Sequence, residues 1–346
     1  MSLEPPGAER ASRPAQAPSV ASLADMAFGP VRNDLEKVEE VLLDTFQSSP
    51  STFRAALTHS VASGGKRIRP ALVLLSAQAA GGHVSQDTIN LAAAFEAIHL
   101  ASLIHDDVVD RSQIRRGAKS VNSGWGTEVS VVLADFIFST ALAQMCTFAT
   151  AEVLQAVVAA MIQMAQAELE QIENRNNLAY SEADYLRVVQ GKAGALISAC
   201  CTAGAVTAGA QRQVSALLTR FGERMGAAFQ LADDVLDLVG DPSKTGKPVG
   251  KDILEGKMTL PLISSLSRWD GQGRSLLTEV LGSGQAEPSH LQTIVELVVK
   301  AGGVDYARRR ARELADEAKQ CLSSFPPSLP VEALMAFADF AVEREG

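Results

Sequence analysis

The chain is expected to be all-α, a single large helical bundle around a central cavity, and three observations carry that expectation. Of its 346 residues 47% are hydrophobic but only 5% aromatic, so a core would be built from Ala, Leu, Val and Ile, with helix formers dominant. Apolar residues recur with helical period, and long strand-like alternations are absent. The strongest polar signals, Asp106-Asp107-Val108-Val109-Asp110 and Asp233-Asp234-Val235-Leu236-Asp237, lie inside that same apolar helical sequence.

Taken in order, residues 1–24 are rich in Pro, Ala, Ser and Glu, lack an apolar h-region, and read as a disordered tail; the helical domain is expected over 25–346. Helices are predicted over 30–47, 50–63, 70–80, 86–110, 119–149, 151–174, 182–209, 211–240, 258–268, 289–301, 304–322 and 331–343. Breaks fall at Gly81-Gly82, Arg116-Gly117, 174–177 and Gly240-Asp241-Pro242. Pro261 marks a kink or restart near the opening of its helix. The longest apolar stretch, roughly 129–149, contains Asp135 and Gln144, and an Asp at mid-span is costly in a bilayer. It therefore reads as a core helix, and no transmembrane segment is expected. Small residues over 193–210 suit close helix–helix contact. No linker or repeat divides the interior, apart from the recurrence of the acidic cluster.

Charge and cysteine usage narrow the function. With 31 Lys+Arg against 40 Asp+Glu the net charge is −9, and no basic stripe offers a nucleic-acid surface. Cys146, Cys200, Cys201 and Cys321 have no metal-ligand spacing and read as buried thiols in a reducing, cytoplasmic compartment.

The acidic clusters both read D-D-x-x-D. Positions i and i+4 share a helix face, so Asp106 and Asp110 point one way with Asp107 turned aside, and Asp233, Asp237 and Asp234 repeat the arrangement. Carboxylates flanked by Leu, Ile and Phe must be paired, protonated or metal-bound. Two such faces suit a hard divalent cation such as Mg²⁺, which takes oxygen ligands, water and substrate phosphate. There is no CxxC or HExxH to favour zinc. Surface acids are the bland alternative, and two identical clusters in apolar context weigh against it. Gly64-Gly65-Lys66-Arg67-Ile68-Arg69-Pro70 and Arg115-Arg116-Gly117 add cations beside apolar runs, with Lys192, Lys247, Lys251 and Lys257 further along. Metals with Arg and Lys make a diphosphate site.

These motifs, GGKRIRP (64–70), ASLIHDDVVDRSQIRRG (101–117), VLADFIF (132–138), GKAGALI (191–197), GAAFQLADDVLD (226–237) and GKPVGKDILEGKMTLP (246–261), resemble in order those of the trans-isoprenyl diphosphate synthases. The likeness covers about residues 26–345 and points to the long-chain, polyprenyl branch. It implies head-to-tail condensation of isopentenyl diphosphate onto an allylic diphosphate, two or three Mg²⁺ ions, and a homodimer. By motif match Asp106, Asp110, Asp233 and Asp237 are metal ligands, with Asp107 and Asp234 in support. Lys66, Arg69, His99 and Arg116 match the isopentenyl diphosphate side; Arg115, Lys192, Gln230, Lys247 and Lys257 match the allylic side. Ala101 and Ser102, five and four residues before Asp106, match the chain-length gate, and both are small.

Two departures stand out: Ala193 where a Thr usually follows the Lys, and Ala134 where a Gly usually precedes Asp135. Neither removes a charge. His105 is expected to orient an Asp rather than to bind metal. Glu96-Ala97-Ile98-His99 matches a di-iron E-x-x-H, but its only counterpart, Glu287-Pro288-Ser289-His290, is a poor second half. A terpene cyclase would need only one D-D-x-x-D, and a silent partner subunit would show degraded clusters; here both clusters are intact.

Overall fold

The computed structural model describes residues 19–47, 49–62, 64–241, 249–283 and 287–344; Lys247 lies outside them. The described chain is almost wholly helical. In order come α1 (Val20–Phe28), a short 3₁₀ turn, α2 (Arg32–Thr45), α3 (Ser51–Ala62), α4 (Ile68–Ala79) and α5 (Gln86–Val109). A two-stranded hairpin, β1 (Ile114–Arg115) and β2 (Ala118–Lys119), leads to α6 (Val121–Trp125), α7 (Thr127–Phe148) and α8 (Ala151–Glu173). Then follow α9 (Glu182–Val189), a π-turn (Gln190–Gly194), α10 (Ala195–Thr207) and α11 (Arg212–Val239). The last elements are α12 (Lys251–Leu254), α13 (Leu260–Leu266), α14 (Gly271–Ser283), α15 (Pro288–Lys300), α16 (Gly303–Cys321) and α17 (Leu329–Glu343).

The inner set is α4, α5, α10 and α11. α5 packs on α4, α7 and α2; α10 packs on α4, α8 and α11; and α11 packs on α16. α5 starts at a capping box in which the Ser85 hydroxyl accepts from Thr88 N and Thr88 reaches back to Ser85 N. It ends at the first acidic cluster, and α11 ends at the second. Small residues let these helices close up, as expected for 193–210: Cys200, Cys201 and Ala203 have no exposure. A Cβ at Gly226 of α11 would stand 2.7 Å from Gly194 Cα, so only glycine allows α11 to touch the π-turn that carries Lys192.

Several boundaries differ from the sequence expectation. α1 begins at Val20, inside the stretch read as tail: Ser19 caps it, and Leu23 and Ala27 are buried, with the helix packed on α17. The helix expected over 119–149 breaks at Gly126, whose φ of 85° lies outside helical space. Arg116 and Gly117, with φ of 52° and 78°, form the hairpin's two-residue turn, the conformation that matches strand twist. The 182–209 helix is interrupted by the π-turn. Pro261 lies in the first turn of α13, where its missing N–H costs nothing. α14 was not anticipated. By length and composition α5 and α7 could each cross a membrane, but the apolar window of α5 is 67% buried inside the protein against 33% for α7. α5 is thus a core helix, and α7 keeps an apolar face outward.

Candidate active site

The two acidic clusters are built alike. In each, the middle aspartate is buried and anchored, while the first and fifth stay half-buried. Asp107 Oδ1 accepts from Arg115 Nε (3.0 Å) and Nη2 (2.6 Å), the hairpin presenting the arginine. Asp234 accepts from Tyr185 Oη (2.6 Å) on α9 and from Gln230 Nε2 (2.8 Å), one turn earlier on α11. Burial first, then the neighbouring Asp252, pushes the Asp234 carboxyl well above the usual carboxylate range. The anchoring holds each helix end in place and leaves the outer carboxylates to other partners.

The outer carboxylates meet cations from distant segments. Burial raises the pKa of Asp106, and Lys192 works against that shift. Lys192 Nζ lies 2.5 Å from Glu168 and 2.7 Å from Gln171 Oε1, so α8 steers it. Burial opposes the Asp110 charge too, but Lys257, Lys192 and Lys251 prevail and hold its pKa down. Lys257 donates to Asp110 Oδ2 at 2.8 Å and also contacts Glu255 at 2.7 Å; Arg175 Nη2 lies 3.2 Å from Asp110 Oδ1. Asp233 pairs with Arg344 at 2.7 Å, and that guanidinium stacks 3.6 Å from the Phe229 ring centroid. Asp237 departs from the expected symmetry: its Oδ2 accepts from Asp252 N (3.1 Å) at the start of α12.

A second, more basic pocket lies beside these clusters. Lys66, Arg69, His99 and Arg116 come together as the sequence suggested. Burial, then Arg69, Arg116 and Arg115, drives the His99 pKa well below its ordinary value, so the imidazole is neutral. Burial, Arg344 and Arg116 lower that of Lys66, whose ammonium lies 5.3 Å from the Phe340 ring centroid. Among the described residues Arg69 Nε is buried without a hydrogen-bond partner. A buried donor in a concentration of positive charge is what an anion requires. The guanidiniums of Arg116 and Arg67 close over Gly65, where a Cβ would stand 2.8 Å from Nη1 of each. Glu96 accepts from Arg67 at 3.1 Å, which removes it from any di-iron set. His105 turns to α7, 3.5 Å from Asp135 and against Phe138, rather than to the acidic cluster.

The donor set suits a hard cation. Asp106, Asp110 and Asp233 offer oxygen only, and among the described residues no three His, Cys, Asp or Glu converge into a ready-made cage. An ion here would complete its shell with water and phosphate, as Mg²⁺ does. The sequence did not reveal Arg175, Glu168, Gln171, Tyr185 or Arg344. Their signal is tertiary, since no local motif marks them.

Two acidic helix ends facing cations, beside a basic pocket, define an all-α enzyme that handles diphosphates with a divalent metal. The chain belongs to the polyprenyl synthetase family, whose model matches residues 50–298. It is 36% identical over 314 residues to a short chain isoprenyl diphosphate synthase of Methanothermobacter thermautotrophicus, covering 90% of this chain and 95% of that one. It is 34% identical to an octaprenyl diphosphate synthase of Haemophilus influenzae, covering 90% and 94%. Among solved structures, a Caulobacter crescentus polyprenyl synthase complexed with calcium and isoprenyl diphosphate superposes with a TM-score of 0.90 at 36% identity, over 93% of this chain and 98% of that one. A Rhodobacter capsulatus decaprenyl diphosphate synthase gives 0.87 at 31%, over 93% and 99%. The protein is a trans-prenyltransferase whose substrates are isopentenyl diphosphate and an allylic diphosphate.

Proposed function

We propose that this enzyme makes a long-chain all-trans polyprenyl diphosphate, of the kind used for quinone side chains. The observation that carries this reading is the pair of like-built aspartate faces beside a separate basic pocket, with small residues, Ala101 and Ser102, at the fifth and fourth positions before Asp106. In this reading Asp106, Asp110 and Asp233, with Asp237 in support, would hold two or three Mg²⁺ ions. When bound, the metal supplies charge neutralisation that lets the allylic C–O bond ionise.

The chain's own residues do the rest. Lys192 and Lys257, with Gln230 and Lys247, hold the allylic diphosphate; Arg115 acts through Asp107. Lys66, Arg69, Arg116 and the neutral His99 hold isopentenyl diphosphate. Its double bond forms the new C–C bond to the allylic carbon. A proton then leaves toward the departing diphosphate, and apolar walls keep water from the cation. Incubation with isopentenyl diphosphate and a farnesyl primer, followed by chromatography of the dephosphorylated products, tests the reading. Failure to elongate would overturn it, and cyclised hydrocarbon would point to a cyclase.

The two pockets give a sharper expectation. Arg69→Ala or Lys66→Ala should raise KM for isopentenyl diphosphate more than for the primer, and Lys192→Ala should do the reverse or lower kcat. Loss of one charge-assisted contact costs about 1.5–3 kcal/mol, roughly tenfold or more. Equal effects of all three on both substrates would refute the division.

Assembly follows from the outward apolar face of α7 and α8. Val132, Val158, Ile162 and Leu169 are all more than two-fifths exposed, and they supply the kind of surface that subunit contacts bury. The expected state is a homodimer. A fully active monomer at micromolar concentration in light scattering would exclude it.

A further inference from the structure

Asp110 is gripped on both oxygens. Lys257 holds Oδ2 at 2.8 Å, and Arg175 holds Oδ1 at 3.2 Å. The two cations come from different loops, Arg175 from the α8–α9 turn and Lys257 from the turn between α12 and α13. These loops are joined back to back. Asn176 N donates to Gly256 O at 2.9 Å. Asn176 (φ 63°) and Gly256 (φ 74°) are both left-handed, and a Cβ on Gly256 would collide with Asn176 Oδ1. The α8–α9 turn is itself framed by Asn177 Nδ2 donating to Asn174 Oδ1 at 3.0 Å and by Asn174 Nδ2 donating to Glu170 O at 2.9 Å. Such scaffolding is far more than a surface arginine needs. Arg175 Nε is moreover buried without a hydrogen-bond partner among the described residues.

We infer that Arg175 is a positioning residue of the allylic side: with Lys257 it fixes the orientation of the Asp110 carboxylate, so that the first acidic cluster is preorganised for a metal–diphosphate complex. A carboxylate held at both oxygens cannot rotate about its terminal torsion, which is otherwise broad. Ordering it in advance removes a cost from binding. The argument rests on the reading of Asp110 as part of the metal–diphosphate site.

The test uses the full-length enzyme with Arg175→Gln and Arg175→Lys, alone and combined with Asp110→Asn. Calorimetry follows binding of inorganic pyrophosphate with magnesium, and steady-state kinetics give KM for each substrate. Arg175→Gln should weaken pyrophosphate binding by about tenfold and raise KM for the allylic primer, leaving KM for isopentenyl diphosphate unchanged. Arg175→Lys, which keeps a cation but loses the rigid fork, should recover part of the loss. In the Asp110→Asn background the Gln substitution should have almost no further effect, because its path runs through that carboxylate. Equal KM changes for both substrates, a loss that persists undiminished beside Asp110→Asn, or unchanged pyrophosphate affinity would each overturn the inference. If the wild-type enzyme itself bound no magnesium pyrophosphate, the underlying site assignment would fall instead.

Discussion

Asp106→Ala and Asp233→Ala should each lower kcat by at least about 100-fold at saturating magnesium, a loss of roughly 2.7 kcal/mol or more in transition-state stabilisation. The two aspartates stand on different helices and meet different cations, yet they share one exposure pattern: half-buried, beside an anchored neighbour. Removing Asp106 leaves Lys192 with Glu168 as its acidic contact at 2.5 Å, so the ammonium keeps a partner and the fold survives. Removing Asp233 frees Arg344, whose Nη2 still donates to Phe229 O at 2.8 Å and whose Nε still donates to Ala341 O at 3.1 Å. Both variants should therefore fold, and the deficit should be chemical. Circular dichroism with a magnesium titration of turnover separates the two possibilities. Near wild-type turnover in either variant would sink the assignment of these carboxylates to the metal.

What the sequence made legible follows the range of each interaction. The helix predicted over 86–110 is Gln86–Val109, because apolar period and a Ser85 cap are local signals. That Asp107 and Asp234 turn aside from the outer pair of each cluster was legible for the same reason, since i and i+4 share a face. The partners of those carboxylates were not. Arg175 reaches Asp110 across 65 residues and Lys257 across 147, and no spacing rule spans such gaps. The π-turn at Gln190–Gly194 was equally hidden. One extra residue within a turn leaves no mark on propensity, although such bulges gather at functional sites. α1 was missed because its two buried apolar residues, Leu23 and Ala27, follow a long Pro- and Ala-rich stretch, so composition masked a Ser19 cap. The Gly126 break lay in plain view as Gly124-Trp125-Gly126, but helical period on both sides outweighed it. Asp237 shows the same limit: one of its oxygens accepts from Asp252 N at the start of α12, a contact that no local spacing marks.

Ser102→Phe should shorten the product toward farnesyl or geranylgeranyl diphosphate. Ser102 lies one helical turn before Asp106 and shares its face of α5, while Ala101 lies one turn before His105 on the neighbouring face. His105 stands against Phe138, so α7 faces the Ala101–His105 side. The growing chain must leave the diphosphate along an apolar path, and a side chain one turn below the reacting carbon is where an obstacle stops growth soonest. The two positions are not equivalent. Ser102 is half-buried and its hydroxyl turns back to His99 O at 2.8 Å, so a larger side chain has somewhere to go. Ala101 has no exposure at all, and Ala101→Phe must overpack the α5 core at a cost of about 1–3 kcal/mol. It too should shorten the product, but with less soluble protein. The deeper floor is then a matter of α7: Phe136 packs on Phe53 and Phe46 at 5.4 and 6.3 Å, and Met145 is fully buried, while Phe148 is half-buried at the helix end. Substitution at those positions should move the limit only after the first turn is open. Product analysis of wild type and both variants with excess isopentenyl diphosphate decides the matter. A wild-type enzyme that already stops at farnesyl or geranylgeranyl diphosphate would place the limiting side chain nearer than Ser102.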